Sequence, residues 1–321
     1  VGAYWLDGWF EGSPYIREPL TSAFREREPA WGWRDDTQSA VDESIRYAAR
    51  YGLDFFAFLW YPEIAWRFEG GQPSGIINNG LRFSLSSRAP ERAQVGFLLM
   101  ISHAPTAADW EATCRNWTRQ YLSHERYVRI DGRPVLMFYE LDELVQKLGA
   151  AENVHPALER LRQIAREHGG GDPFLVLRAQ GDEAEKLAKY GFDAVTDYAI
   201  AYSRTAGEHP YAALVENATR QWQRYAGRGM NYIPGVTAGW DGRPRSWMKK
   251  PYYDYWYRRS PEEFGEFVAK ALRWIREHPG DVPRQPLLMI YAWNEVDEGG
   301  AICPTRSEGA GYLEALRKAT R

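Results

Sequence analysis

The chain has 321 residues, a formal net charge of −3 and 44% hydrophobic residues. That length fits one large α/β domain or two small ones, and the apolar fraction supplies a full core, which excludes a disordered chain. The near-neutral charge gives no basic footprint for nucleic acid, and no apolar run reaches membrane-span length. The aromatic content, 14 Trp, 20 Tyr and 13 Phe, suits a site that stacks on the flat faces of sugars.

Eight short apolar runs recur along the chain, with helical patterns between them. Their near-continuous hydrophobicity is typical of strands that are buried on both faces of a parallel sheet. We predict strands over residues 1–6, 54–61, 94–102, 133–140, 173–179, 194–202, 232–240 and 286–295.

The first helical pattern covers residues 35–52, with Asp35 or Asp36 as the expected N-cap and Gly52 after its end. A second short helix is predicted over residues 182–191.

Two more helices carry cap signals. Thr106 is the expected cap of a helix over residues 106–123. Ser260 is the expected N-cap of a helix over residues 260–280, and Glu263 completes its capping box.

Eight strand–helix units predict an α/β fold, a (β/α)₈ TIM barrel, formed by residues 1–321 as a single domain. An open doubly wound sheet is the alternative, although no glycine-rich phosphate loop follows the first strand. The two cysteines, Cys114 and Cys303, fall on a predicted helix and a distant loop, an arrangement that does not favour a disulfide and has no metal-type spacing.

The active site of such a barrel lies at the C-terminal ends of its strands. Residues at those ends are rich in carboxylates and aromatics, without a Ser-His-Asp arrangement, a Cys-His pair or a three-ligand metal cluster. The residues predicted to bind substrate are Trp5, Asp7, Trp60, Tyr61, His103, Tyr139, Tyr198, Tyr202, Trp240, Asp241 and Asn294.

Two acids at the last strand end are the predicted catalytic pair. Glycoside cleavage requires one protonated acid at the leaving oxygen and one carboxylate near the anomeric carbon. Glu295 and Glu298 face one ligand if the chain turns there, and Gly299 and Gly300 make that turn easy. The alternative is a solvated acidic loop or a pair of caps for the last helix.

Two long loops follow predicted strands, and loops of this length are often functional. Residues 240–257 carry seven aromatic residues with interspersed Arg and Lys, which makes a cleft wall. Residues 62–92 form the other loop.

The chain resembles glycoside hydrolase family 99 and the related WbsX-like proteins of polysaccharide gene clusters. The similar segments are GAYWLDGWF, YGLDFFAFLWY, GRPVLMFYE and PGVTAGWDGRP, and the most specific is AWNEVDEGG. That last segment resembles the family pattern Asn-Glu-Trp-x-Glu-Gly.

The resemblance implies that Glu295 is the general base and Glu298 the general acid of a retaining hydrolase. In the family the base is thought to deprotonate the 2-hydroxyl of the sugar, which forms a 1,2-anhydro intermediate that water then opens. The linkage must therefore be 1,2-trans. The chain departs from the family at Val296, Asp297 and Cys303, so endo-mannosidase specificity is not carried over.

Several candidates keep alternative roles. Glu140 either caps a helix or serves with Glu295 in a conventional double displacement, and Arg178 either recognises an anionic sugar or neutralises the local acids. Asp241 either binds a sugar hydroxyl or pairs with Arg243 or Arg245. A non-catalytic glycan-binding or biosynthetic accessory protein is the third hypothesis.

The expected partner is a carbohydrate, with no nucleic acid and no membrane, and neither a cofactor nor a metal is expected. The sequence does not determine the oligomeric state. The chain begins at Val1 with no signal peptide, so it looks trimmed, and a polymer substrate favours a secreted or periplasmic location.

Overall fold

The computed structural model describes residues 1–62, 78–178, 187 and 189–321. A nearly closed barrel of nine parallel strands forms its centre, and helices surround it. In chain order the strands are β1 Gly2–Trp5, β2 Phe55–Trp60, β3 Gly96–Ile101, β4 Arg129–Ile130, β5 Arg133–Phe138, β6 Phe174–Arg178, β7 Ala194–Thr196, β8 Gly207–His209, β9 Asn231–Ile233, β10 Gly235–Thr237, β11 Trp240–Asp241, β12 Tyr255–Tyr257 and β13 Met289–Tyr291.

The barrel closes at a proline. Its strands follow the order β10-β13-β1-β2-β3-β5-β6-β7-β9. Only Pro234 separates β9, which pairs with β7, from β10, which pairs with β13. Proline has no N–H for a sheet ladder, and here its carbonyl accepts from the Met289 amide at 3.0 Å. The predicted (β/α)₈ barrel is confirmed, with its seventh strand divided in two.

The helices pack outside the strands. Their bounds are Gln38–Tyr51, Asn79–Ser86, Trp110–Trp117, Leu141–Leu148, Val154–Glu167, Tyr211–Tyr225, Pro261–Glu277 and Gly311–Ala319. No helix in these described stretches is both long and apolar enough to span a membrane. Residues 182–186 and 188 of the second predicted helix and residues 63–77 of the predicted loop 62–92 lie outside the described part of the chain. The rest of that loop contains the helix Asn79–Ser86, which the sequence analysis did not predict.

The caps show which local signals dominate. Thr37, rather than Asp35 or Asp36, caps the first helix, and its hydroxyl accepts from the Ala40 amide. Asp35 is instead buried against Asn294. The prediction for this N-cap is therefore wrong, because a tertiary contact uses the carboxylate.

At other helix ends the outcomes are mixed. Gly52 ends the first helix at φ +80°, as predicted. Ser260 caps Pro261–Glu277 and accepts from the Glu263 amide, also as predicted. The Thr106 cap is wrong, because that helix begins at Trp110.

Neighbouring residues on a strand point to opposite sides of the barrel wall. The Tyr4 hydroxyl reaches across the barrel and donates to the Asp197 carbonyl at 2.6 Å. Trp5 faces the other way, and its ring stacks on Trp293 at 6.2 Å. Strand-end side chains therefore divide between the barrel interior and the helix layer.

The aromatic segment 240–257 folds into a small sheet of its own. β11 pairs antiparallel with β12, which pairs parallel with β8. This sheet places the segment beside the end of β13, because the Asp241 amide donates to the Glu298 carbonyl at 2.6 Å. Both cysteines, Cys114 and Cys303, are buried free thiols.

Candidate active site

The chain after β13 makes a compact turn. The Gly300 amide donates to the Glu295 carbonyl at 3.0 Å, and the Ala292 amide donates to the Gly300 carbonyl at 2.7 Å. Gly299 has φ +65°, a left-handed conformation that favours glycine. A Cβ on Gly300 would lie 2.5 Å from the Tyr291 ring. The two glycines therefore allow the turn that aims both glutamates to one side.

Arg245 joins the acids of this turn into one buried cluster. Its guanidinium chelates Asp297 at 2.5 and 2.9 Å. It also donates to Glu295 at 3.0 Å and to Glu298 at 2.5 Å. All four residues are more than nine-tenths buried. The structure thus brings Glu295 and Glu298 together through a shared guanidinium, a fork geometry that lysine does not offer.

Three tyrosines complete the cluster. The Tyr198 hydroxyl donates to Glu295 at 2.9 Å, and the Tyr253 hydroxyl donates to Glu298 at 3.0 Å. The Tyr291 hydroxyl donates to the other oxygen of Glu298. Burial raises the pKa of Tyr198 and Tyr291 well above 10, so both keep the protons that they donate. Protein groups thus bond every carboxylate oxygen of the glutamate pair.

Burial controls the protonation of the acids. Three carboxylates surround one guanidinium, so the cluster is negative if all of them ionise. Burial raises the pKa of Glu295 to about 8, with Glu298 and Asp297 adding to the rise and Arg245 opposing it. Burial likewise raises the pKa of Asp297 against Arg245. Glu295 is therefore able to hold or release a proton near neutral pH.

Two more arginines hold the acidic turn from behind. Arg259 donates to the carbonyls of Gly299 at 2.8 Å and Ala301 at 2.9 Å. Arg27 donates to the Asp241 carbonyl at 2.9 Å and also pairs with its carboxylate. A polar cavity of about 240 Å³ opens on this side, and Glu295 and Glu298 do not line it. The cavity therefore borders the back of the turn rather than the acid cluster.

Two predicted tyrosines, Tyr139 and Tyr61, lie around Tyr198 and Glu295, and His103 lies beside Tyr61. The Tyr139 ring meets Tyr198 edge-on at 5.1 Å, and Tyr61 lies 5.5 Å from His103. Burial raises the pKa of Tyr61, and the charges of Tyr15 and Glu295 contribute. Burial lowers the pKa of His103. Tyr61, Tyr139 and Tyr198 are accordingly grouped on the inner side of the barrel mouth.

Asp7 and Asn294 have structural partners instead. Asp7 accepts from the Gly80 amide at 2.7 Å, at the start of helix Asn79–Ser86. Asn294 donates to the Leu6 carbonyl at 2.8 Å and accepts from its amide at 2.9 Å. These contacts fasten the end of β1 to its neighbours and occupy the Asn294 amide and one oxygen of Asp7.

The predicted tryptophan platforms are covered. Trp5 is fully buried against Phe56, Phe58 and Trp293, and Trp60 packs edge-on against Trp117 of the helix layer. Both rings lie in the outer wall, which contradicts the prediction that they stack on sugar.

Two aromatic residues of the later loops have different surroundings. Trp240 is buried and stacks on Tyr253 at 6.2 Å. Tyr202 is 51% exposed, and its carbonyl accepts from Tyr257 at 2.7 Å. Trp240 thus supports a tyrosine that bonds Glu298, whereas the contacts of Tyr202 within the described ranges lie outside the acid cluster.

Three charged residues for which alternative roles were predicted form ion pairs. Asp241 pairs with Arg243 at 2.7 Å and with Arg27. Arg178 pairs with the exposed Glu140 at 2.7 Å. Glu140 occupies the N-cap position of helix Leu141–Leu148, without a side-chain cap bond.

Sequence reasoning missed Arg245 and Tyr253 as members of the site. Both lie in the aromatic segment 240–257, which was expected only to wall a cleft. The signal was the unusual load of arginine and tyrosine in that segment. In the described part of the chain, no group of three or more His, Cys, Asp or Glu residues is arranged to hold a metal.

The family model of Glycosyltransferase WbsX matches residues 94–316, well over half of the chain. The chain belongs to the WbsX family. It is 25% identical over 331 residues to the uncharacterized protein WxcX of two strains of Xanthomonas campestris pv. campestris, with 97% of the chain aligned. This WbsX-family chain spans 44% of the length of those curated relatives.

Solved structures share the fold of this WbsX-family chain. A glycoside hydrolase-like protein superposes with a TM-score of 0.69 at 16% identity, covering 99% of the chain and 92% of that protein. The GH99 endo-α-mannosidase of Bacteroides thetaiotaomicron, in complex with bis-tris propane, gives 0.64 at 15% identity, covering 99% and 95%. At these identities the likeness establishes the barrel fold alone.

Proposed function

We propose that the chain is a retaining glycoside hydrolase that acts on a poly- or oligosaccharide with a 1,2-trans linkage. Glu295 serves as general base, and Glu298 as general acid and then base. The observation that supports this is the buried cluster in which Arg245 bonds both glutamates at 3.0 and 2.5 Å. The barrel fold shared with a GH99 endo-α-mannosidase is consistent with it.

The first step forms the anhydro sugar. Glu295 takes the proton of the 2-hydroxyl, whose oxygen bonds to C1. The bond between C1 and the leaving oxygen breaks, and that oxygen takes a proton from Glu298. Because the 2-oxygen attacks from the face opposite the leaving group, only 1,2-trans glycosides react.

The second step consumes water. The water oxygen bonds to C1 while its proton passes to Glu298. The bond between C1 and the 2-oxygen breaks, and that oxygen recovers its proton from Glu295. Two inversions give net retention, and both glutamates return to their starting protonation.

The surroundings of the acids fit these roles. A base whose pKa lies near the working pH transfers protons efficiently, and the pKa of Glu295 is raised to about 8. Tyr198 donates a hydrogen bond to one oxygen of Glu295, and Arg245 donates to the other. Because a carboxylate oxygen has two acceptor sites, a sugar hydroxyl that reaches Glu295 either joins these donors or replaces one of them.

The test is digestion of a glycan panel by the wild-type chain and by the Glu295→Gln and Glu298→Gln variants, with products read by mass and anomeric configuration. We expect retained configuration from the wild type and a loss of at least about a hundredfold in each variant. Glu314→Gln, an exposed acid on the last helix, is the matched control. Wild-type turnover by both active-site variants would reject the proposal.

A conventional double displacement with Glu140 is the competing mechanism. A 2-deoxy glycoside separates the two, since the anhydro route requires the 2-oxygen and a carboxylate nucleophile does not. The exposed position of Glu140 and its pair with Arg178 at 2.7 Å weigh against it.

The family is named for a glycosyltransferase. The same anhydro intermediate, opened by an acceptor sugar hydroxyl instead of water, yields transfer. Product mass separates the two outcomes, because transfer lengthens a glycan and hydrolysis shortens it. Binding without any product across the panel would instead favour an accessory glycan-binding protein.

A further inference from the structure

Two cation–aromatic contacts lead from the acid cluster to the surface. The Arg245 guanidinium lies 4.5 Å from the centre of the Tyr15 ring. Two residues further along each segment, the first segment supplies the cation and the second supplies the ring: the Arg17 guanidinium lies 4.6 Å from the centre of the Trp247 ring. Arg245 is buried, whereas Trp247 is 38% exposed. The second contact therefore lies outside the first, on a path that starts at the glutamates.

A second path leaves from Tyr253. Its hydroxyl bonds Glu298, and its ring meets Tyr252 edge-on at 4.5 Å. Tyr252 is 41% exposed. Tyr252 thus lies beside a tyrosine that bonds Glu298. Trp247 lies beside Arg17, two residues along the chain from the Tyr15 ring that contacts Arg245.

Three cations lie on the same short segments. Arg17 carries the stacking guanidinium, and Lys249 and Lys250 lie between the two exposed rings in sequence; all three are exposed. Among residues that the structure describes, no ion pair involves any of these cations. The exposed acids beside them in sequence are Glu18 and Asp254, so the three cations exceed the acids by one. The local balance of charge is positive.

We propose that Arg17, Trp247, Lys249, Lys250 and Tyr252 form an outer patch that binds further sugar units of an anionic glycan chain. The two rings stack on sugar faces, and the three cations pair with carboxylate or with phosphate or sulfate ester groups. Placing the patch beside the cleaved linkage rests on the proposed function; binding itself does not require hydrolysis. The substrate class is therefore an acidic polysaccharide.

The charge pattern argues for this occupant over a neutral glycan. Neutral sugars use stacking and hydroxyl hydrogen bonds, which do not require an excess of positive charge. Exposed Lys and Arg interact with an anionic chain over about 8 Å at physiological ionic strength and lose that attraction at high salt. An anionic polymer is thus bound more tightly at low salt, and a neutral polymer is not.

The experiment measures binding with the Glu298→Gln chain, so that turnover does not consume the probe. Titration calorimetry compares a polygalacturonate, a phosphorylated mannan and a neutral mannan of matched length, at about 50 and about 500 mM salt. We expect the anionic polymers to bind at least about tenfold more tightly than the neutral one at low salt. The polygalacturonate tests recognition of carboxylate groups, and the phosphorylated mannan tests recognition of phosphate esters.

Variants of the patch complete the test. Trp247→Ala and Tyr252→Ala are each expected to weaken binding about tenfold. The combined Arg17→Gln, Lys249→Gln and Lys250→Gln variant loses the salt dependence, whereas Lys270→Gln on an exposed helix face does not. Thermal unfolding checks that all of them fold.

Equal binding of neutral and anionic polymers without salt dependence would overturn the proposal, as would unchanged binding by both ring variants. If Glu295→Gln and Glu298→Gln retain turnover while the patch variants bind weakly, the hydrolase mechanism fails and the patch stands.

Discussion

Replacing Arg245 by Met removes the only guanidinium that bonds Glu295, Asp297 and Glu298 in the described part of the chain. Breaking a buried ion pair leaves an uncompensated charge and costs about 3–5 kcal/mol. Chemical denaturation of Arg245→Met should show a loss of this size. Arg258→Met, which breaks an exposed pair with Glu208, should leave the denaturation midpoint unchanged.

The same substitution should also move the pH dependence of activity. Arg245 lowers the pKa of Glu295, and Asp297 raises it. If Glu295 is the base, activity is lost as pH falls through its pKa. The acid limb of kcat/KM should therefore move to higher pH in Arg245→Met and to lower pH in Asp297→Asn. A change that only loosened the fold would not produce opposite shifts.

The assay is a kcat/KM profile across pH for the two variants and the wild type, on the best substrate from the glycan panel. Arg245→Lys is the variant between these extremes, because lysine keeps the positive charge but lacks the planar set of N–H donors that bonds three carboxylates at once. Shifts in the same direction, or unshifted limbs with intact folding, would refute the idea that this arginine sets the protonation of the pair.

Three further predictions follow from buried groups. With Glu295 as base, wild-type kcat/KM should rise toward an apparent pKa near 8, since burial raises the pKa of Glu295 to about 8; a fall above that pH would assign Glu295 the acid role instead. Burial raises the pKa of Asp7 from 3.8 to about 7, so the folded chain holds a proton that the unfolded chain releases, and stability falls as pH rises between those values. Asp7→Asn should remove this pH dependence, which amounts to at most about 4 kcal/mol in the free energy of unfolding. Chemical denaturation at about pH 5 and about pH 8 measures it, and an equal change in the free energy of unfolding for the wild type and the variant would contradict it. Gly300→Ala should cost about 1–3 kcal/mol and reduce kcat/KM by displacing the Tyr291 ring from Glu298, whereas Gly280→Ala, whose Cβ meets open space, should change neither; equal activities would exclude this role for the glycine.

The barrel was predictable because its strands are apolar on both faces and its helices follow a regular pattern. The same property hid the direction of the strand-end side chains. Trp5 and Trp60 were predicted as site residues because they end strands. Both faces of such a strand are apolar, so the sequence pattern does not show which side chains face the barrel interior and which face the helices. Their packing into the helix layer was therefore not readable from the pattern.

Long-range partners explain the other differences. Asp7 caps a helix that begins more than seventy residues later, and Asp35 bonds Asn294 from the far end of the chain. Neither pairing leaves a local sequence signal. Glu295 and Glu298 were predictable as neighbours because they are three residues apart and the glycines that follow them allow a turn that directs both to one side. Arg245 was not predictable, because its loop approaches them only through tertiary structure.

Every oxygen of Glu295 and Glu298 already accepts a hydrogen bond from the protein. A ligand that enters therefore competes with protein donors, because its hydroxyl or nitrogen takes the second acceptor site of an oxygen or replaces a protein group there. An inhibitor with a basic nitrogen would bring its own positive charge to these acids and should outcompete a neutral sugar mimic of the same shape.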